Sequence, residues 1–474
     1  MSADPALIRL TAVAVRDKLL SGEVSPLDLI DTLEARIGAV DGAVNALPTL
    51  CLDRARDHAR RLMERPVAER GLLAGMPVPI KDLVDVAGVR NTRGSPIFAD
   101  NVPATSDLLV ERLEAEGGIV YAKSNTPEFG AGANTFNEVF GRTLNPWNTS
   151  RSAAGSSGGA AVALATGMAW LAHGSDLGGS LRNPASFCGI VGLRPSPGRV
   201  AATPTPPIDQ TLAVEGPMAR NVEDLALLLD AMSGEDPRDP ISLPRPATPF
   251  LEAARSGWKP RRVAFSADLG ITPVDPEVAD ICRAAAARFA EAGVEVVEAH
   301  PDFSGLHECF NVLRAASYVA AHRTLYAEKR DLLKPEVVWN IEQGMKLTGE
   351  DIARAQGERA RLFERALAFF GQYDLILTPA TIVAPFPVEI RFVEECGGKR
   401  FTNYVEWLAI AYAFTMVASP AISIPAGFTG DGLPVGLQIA APPRGEARLL
   451  AAARVLESIL WPQPITPIDP RIGL

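Results

Sequence analysis

Cysteine is scarce and unpaired. Cys51, Cys188, Cys282, Cys309 and Cys396 are an odd set with no C-x-x-C spacing. This excludes a disulfide framework and a thiolate zinc site, so no metal is expected. Scattered reduced thiols point to the cytoplasm. Histidine is as rare, and His58, His173, His300, His307 and His322 offer no compelling partner for a serine–histidine–acid triad. His173 closes an apolar run and reads as structural. The glycine-rich stretches lack the G-K-[ST] ending of a phosphate loop. No apolar run is long enough to cross a bilayer, and the strongest, Ala160–Ala172, is expected as a buried helix. Met1–Val13 lacks a basic start followed by an apolar core, so no signal peptide is expected. Basic residues are outnumbered 46 to 56, which argues against nucleic acid or an anionic membrane as a partner.

What is present is an ordinary globular composition, 47% hydrophobic and 22% charged over 474 residues. Thr11–Leu20 and the stretch from Pro26 to about Val40 have helical periodicity. Gly22 is placed to end the first helix, and Ser25-Pro26 to start the second. From Gly75 the pattern alternates. Strands are predicted at 77–80, 119–122, 262–265, 294–297, 375–379, 421–425 and 435–440. Helices are predicted at 108–117, 221–233, 276–292, 404–418 and 446–459, with 306–372 mostly helical. The expected fold class is α/β, one large mixed sheet flanked by helices. The expected organisation is a single domain over 1–474. Its parts are a helical layer (1–70), a core with a serine- and glycine-rich segment (71–235), a helical insert (236–400) and a return to the core (401–474).

Three features could carry chemistry. Lys81 directly follows an apolar strand. A lysine buried there loses proton affinity and can act as a base, although most lysines at strand ends are solvated. Gly155-Ser-Ser-Gly-Gly159 is either a flexible loop or helix cap, or a segment whose bare amides face a site. Gly174-Ser-Asp-Leu-Gly-Gly-Ser-Leu-Arg182 is either a tight turn or an oxyanion hole leading into a serine. Residues 155–159 also match G-x-S-x-G, with Ser157 as nucleophile. That elbow needs a preceding strand, and Asn145–Arg151 is polar and strand-breaking.

Taken together, these motifs resemble the amidase signature family over roughly residues 5 to 460. The resemblance centres on Gly155 through Asp176-Leu-Gly-Gly-Ser-Leu-Arg-Asn-Pro-Ala185 to Phe187-Cys-Gly-Ile-Val-Gly-Leu193. Ser419-Pro-Ala-Ile-Ser-Ile-Pro425 and Asp431-Gly-Leu-Pro-Val-Gly-Leu-Gln438 extend it, and the separation of Lys81, Ser156 and Ser180 agrees. Two positions depart: Ala154 stands where a further glycine is usual, and Leu177 where threonine or isoleucine is.

The resemblance implies an amide hydrolase without a cofactor. Ser180 would be the acyl-forming nucleophile, Ser156 the bridging serine after a cis Gly155–Ser156 peptide, and Lys81 the terminal base. The amides of Leu177, Gly178, Gly179 and Ser180 would form the oxyanion hole. Ser157, Asp176 and Arg182 would support the site, and the loop Gly130, Ala131, Gly132 would border the substrate. The implied partner is a small-molecule amide, with anilides, cyclic amides, esters and carbamates also within the family's range. A homodimer is carried as the alternative to a monomer. Residues 306–418 would shape the acyl pocket. Phe310, Tyr318, Trp339, Tyr404, Trp407, Tyr412 and Phe414 suggest an apolar or aryl group there, although any one of them is equally at home in the core.

Two other readings fit parts of the pattern. One is the glutaminase subunit of the tRNA-dependent amidotransferase, which typically carries S-N-L-x-R-[FY]-D-G-V-R-[YF]-G. Asn311–His322 lacks that stretch, and the expected acidic position falls at Leu408. The other is a non-catalytic binding homologue, disfavoured because all three catalytic positions are filled.

Overall fold

The computed structural model describes residues 6–473, so Met1–Pro5 of the segment read for a signal peptide lie outside the described residues. The first helices form as their caps dictate. The Thr11 hydroxyl accepts from the Ala14 amide, and Gly22 ends the Ala12–Ser21 helix at φ 74°. Ser25 and Asp28 form a reciprocal capping box for Pro26–Val40, with proline in the first turn. Leu29, Ile30, Leu33 and Ile37 bury one face of that helix against the core.

The core is a mixed eight-stranded sheet. Its spatial order is Glu295–Glu298, Arg262–Phe265, Leu375–Pro379, Pro434–Ala440, Ala421–Phe428, Val191–Arg194, Val214–Ala219 and Leu171–Asp176. The first three strands run parallel to one another, and every later pairing is antiparallel. Thr49–Leu50, Ile119–Ser124 and Pro77–Lys81 form a second sheet. Its Pro77–Lys81 strand lies along the Leu171–Asp176 edge of the first, where the Lys81 amide donates to His173 Nδ1 at 3.2 Å. Strands buried on both faces read as continuous apolar runs, and Pro77–Lys81 is buried throughout. Residues 306–372 supply three helices; Leu306–Lys329 and Gly349–Phe370 build a second apolar cluster with Ala409–Met416, and Pro335–Gly344 buries Val337 and Ile341 in a third with Tyr318 and Ala131.

One expectation is corrected. Ala160–Ala172 is not one helix. The helix is Gly158–Ala165, the chain turns at Gly167 (φ 76°), and Leu171–Asp176 is a strand. A short apolar run fully buried in either state has no period to tell the two apart. The connector at 235–260 also contains a short helix, Phe250–Arg255.

The sheet positions the site through close approach. A Cβ on Gly192 would stand 2.5 Å from the Leu181 carbonyl oxygen, so the turn carrying Ser180 rests directly on the Val191–Arg194 strand. Gly192→Ala is therefore expected to destabilise the protein by about 1–3 kcal/mol through overpacking. A lowered thermal midpoint checks this, and an unchanged one would mean the turn is not seated on the strand.

Candidate active site

Lys81 ends its strand wholly out of contact with solvent. Its Nζ meets three hydroxyl oxygens: Ser156 Oγ at 2.6 Å, Ser157 Oγ at 2.9 Å and Ser175 Oγ at 2.9 Å. Three acceptors match the three protons of an ammonium. A neutral amine would donate two protons and accept one, so the cradle suits both states. Burial lowers the lysine to about 7, and the charges of Glu215 and Asp176 act against that fall.

The serine-rich segment reaches Lys81 because its glycines let it thread tightly. A Cβ on Gly159 would stand 2.3 Å from the Asn125 amide nitrogen. The Gly155–Ser156 peptide is cis. Ser157 precedes the Gly158–Ala165 helix and also contacts the turn, its amide donating to the Ser180 carbonyl at 3.2 Å.

Ser180 sits in the turn between the Leu171–Asp176 strand and the Arg182–Cys188 helix. Asp176 holds that turn. Its carboxylate accepts from the amides of Gly179 (3.0 Å) and Leu181 (3.1 Å), and from Arg182 Nε (3.1 Å) and Nη2 (2.8 Å). Arg194 Nη1 lies 2.6 Å from its main-chain oxygen and 3.5 Å from Oδ1. Burial alone would raise the Asp176 carboxyl. The guanidinium groups of Arg182 and Arg194 override it and hold the group well below the usual carboxylate range. Arg182 continues to the Ala411 carbonyl (2.7 Å) and Gln438 Oε1 (2.5 Å), tying the turn to the C-terminal part of the chain.

Of the four amides in the oxyanion-hole reading, that of Gly179 is bonded to Asp176. Among the described residues, the amides of Leu177, Gly178 and Ser180 have no partner. The Ser180 hydroxyl is also unpartnered. It is half-buried and faces the same cavity as Ser156, but makes no direct hydrogen bond to it. Lys81, Ser156 and Ser157 are therefore in contact, while Ser180 stands beside them.

The cavity measures about 290 Å³. Gly130 and Gly132 border it, with an apolar wall of Leu83, Phe129, Phe310, Tyr318, Tyr404 and Leu408. Ala131 does not line it. Its methyl joins a cluster with Leu333 and Val337, and its carbonyl accepts from Lys334 Nζ at 3.0 Å. The other aromatics expected at the pocket stand behind the wall. Tyr412 stacks on Phe310 at 3.8 Å, Trp339 packs edge-on to Tyr404, Trp407 to Phe386 and Phe414 to Phe303.

Sequence reasoning missed four residues. Ser175 is the third hydroxyl on Lys81, and His173 and Glu215 lie behind it, joined at 2.7 Å. Residues 173 and 175 share a strand face, a signal available from period two once the strand is recognised. Arg314 is buried in the cavity wall among neutral partners. It bonds Asn340, Tyr404 OH (2.7 Å) and Tyr318 OH (3.3 Å), and makes no ion pair among the described residues. A single arginine on an apolar helix face is its only signal.

A family model described as Amidase matches residues 28–450. The chain belongs to the amidase signature family. It is 36% identical over 456 residues to an acylamidase of Rhodococcus erythropolis, covering 95% of both chains. It is also 36% identical over 471 residues to a glutamyl-tRNA(Gln) amidotransferase subunit of Thermus thermophilus, covering 94% of this chain and 96% of that one. Among solved structures it superposes on a bacterial aryl acylamidase with a TM-score of 0.89, 26% identity and coverage of 95% and 96%. It superposes on 6-aminohexanoate cyclic dimer hydrolase complexed with substrate with a TM-score of 0.86, 27% identity and coverage of 98% and 99%. This amidase signature protein is accordingly an enzyme that hydrolyses amide carbon–nitrogen bonds.

Asp176→Asn would leave two buried guanidinium groups without their carboxylate. The expected cost is about 3–5 kcal/mol, the range for breaking one side of a buried ion pair. Denaturant unfolding checks it, and a loss below about 1 kcal/mol would mean that Asp176 does not hold the turn.

Proposed function

We propose that the chain hydrolyses small-molecule amides through an acyl-enzyme on Ser180, with Ser156 relaying protons to Lys81. The observation behind this is the dry Lys81 Nζ, 2.6 Å from Ser156 Oγ, where Ser156 lines the same cavity as Ser180 and the three unpartnered amides. An alcohol is a weak nucleophile until its proton has somewhere to go. As the Ser180 oxygen attacks the carbonyl carbon, its proton passes to Ser156, and the Ser156 proton passes to neutral Lys81. The amides of Leu177, Gly178 and Ser180 receive the oxyanion. The proton returns through Ser156 to the nitrogen as the carbon–nitrogen bond breaks. Water then repeats the sequence and frees the acid. The Ser180–Ser156 hydrogen bond must form with substrate in place, and catalytic hydrogen bonds commonly tighten at that point.

The apolar wall and the similarity to acylamidases support an amide with an apolar or aryl group. Anilides, esters and carbamates are the members of this class to test. The five free thiols support a reducing compartment, the cytoplasm. No helix among the described residues is long and apolar enough to cross a membrane. A second reading, a glutaminase subunit, is favoured by the amidotransferase relatives and by Arg314, a buried cation suited to a carboxylate. Leu408 weighs against it, because an apolar side chain lines the cavity where that reading needs an acid.

Ser180→Ala is expected to lower kcat by at least ~10³-fold, and Lys81→Ala nearly as much. Release of amine or ammonia from aliphatic amides, anilides, an aryl carbamate and glutamine checks this. Full activity of Ser180→Ala rejects the acyl-enzyme, and cleavage of glutamine alone restores the second reading. Lys81 accepts a proton only when neutral, so kcat/KM should climb as pH rises through about 7. A profile flat across that range means that another group is the base. EDTA should leave turnover unchanged.

A further inference from the structure

Lys81 is held from behind as well as in front. His173 and Ser175 lie two apart on the Leu171–Asp176 strand, and so share one face. Glu215 is the direct cross-strand partner of Ser175, which puts its side chain on that face too. Ser175 Oγ takes the lysine Nζ, while His173 Nδ1 takes the lysine main-chain N–H. A ring nitrogen that accepts carries no proton, so His173 is a neutral imidazole with its proton on Nε2. That proton points at Glu215 Oε2, 2.7 Å away. The contact is a hydrogen bond from a neutral ring, and it leaves the carboxylate's charge uncancelled.

The other charges around Lys81 are matched. Asp176, on the same strand as His173, is compensated by Arg182 from the following helix and by Arg194 from the Val191–Arg194 strand. Asp82, next along the chain, faces Lys123 of the Ile119–Ser124 strand at 3.5 Å. That lysine turns away to the Val84 carbonyl and Asn91. The Ser156–Ser157 segment contributes only hydroxyls. Glu215 forms no ion pair with lysine or arginine among the described residues. Its side chain is 21% exposed, at the cavity.

We propose that Glu215, oriented by His173, is the positioning carboxylate of the relay, its uncancelled charge stabilising the ammonium that Lys81 becomes when Ser180 loses its proton. This rests on the relay described above. Burial weakens Lys81 as a base, and Glu215 restores part of that strength. Both His173 and Glu215 lie outside the three-residue relay, and their role is electrostatic and orienting.

The test is kcat/KM against pH for wild type, Glu215→Gln and Glu215→Asp, with thermal midpoints to establish folding. Glutamine keeps an oxygen for the His173 proton and removes only the charge. Its acid limb should move to lower pH by about 1 unit, with a reduced plateau, because the lysine becomes less basic. Glu215→Asp, which keeps the charge, should return the limb towards wild type. Should Glu215→Gln not fold, Glu215→Ala gives the same direction of shift. A folded Glu215→Gln whose limb superposes on wild type overturns the proposal, as does an aspartate variant shifted as far as the glutamine one. These outcomes are separable from failure of the relay, which would appear as retained activity in Ser180→Ala or Lys81→Ala.

Discussion

The site depends on one buried carboxylate. Asp176 gathers two backbone amides and two guanidinium groups around the turn that carries Ser180. Without that gathering, the turn would expose amides in every direction. With it, two amides face inward to Asp176, and those of Leu177, Gly178 and Ser180 are left free towards the cavity. A buried ion pair seldom adds net stability compared with apolar packing, but it fixes geometry, because every donor must find its oxygen. Here the fixed geometry leaves the Ser180 hydroxyl and three amides unpartnered at the cavity, and the Arg182 contacts to Ala411 and Gln438 pass that constraint to a distant part of the chain.

Lys81 is the counterpart problem. A base that works near neutrality must lose some proton affinity, and burial is how a lysine does so. Burial without hydrogen bonds would be costly, and three hydroxyls satisfy the amine while leaving one of them, on Ser156, able to pass a proton on. The balance is set by pairing: Asp176 is screened by its own cations, whereas Glu215 is not. The two sheets meet at this point, so the lysine's main chain is held by a strand of the larger sheet and its side chain by that strand's Ser175 together with the Ser156–Ser157 segment.

Much of this is legible in the sequence, for identifiable reasons. The caps at Gly22 and Ser25 fall where glycine's access to positive φ and a serine hydroxyl before proline put them. Strands such as Pro77–Lys81 and Leu375–Pro379 stand out as apolar runs ended by a polar or proline residue. The approach of Ser156 to Lys81 is what the family resemblance implies, and the structure adds Ser157 to it. What stays hidden depends on tertiary pairing. The strand at Leu171–Asp176 continues the apolar run of the preceding helix, which conceals the shared face of His173 and Ser175, and Glu215 opposite. Gly179 resembles a free donor because no sequence pattern says which amide a neighbouring aspartate will take. The aromatics of the insert divide into wall and backing according to helix packing, which composition does not resolve.

The two halves of the site also differ in how they constrain change. Lys81, Ser175 and the amides around Ser180 lie on two strands and a turn, the turn pinned by buried charges. The wall facing them contributes side chains: Phe310 and Leu408 meet it with apolar groups alone, while the hydroxyls of Tyr318 and Tyr404 also serve the buried Arg314. Relatives with acylamidase and amidotransferase names therefore align with this chain over nearly its whole length. On the proposed reading, the reaction belongs to the pinned half and the choice of substrate to the wall. On that view Arg314 is the informative residue of the wall, because it is the one position there where packing gives no reason for a charge.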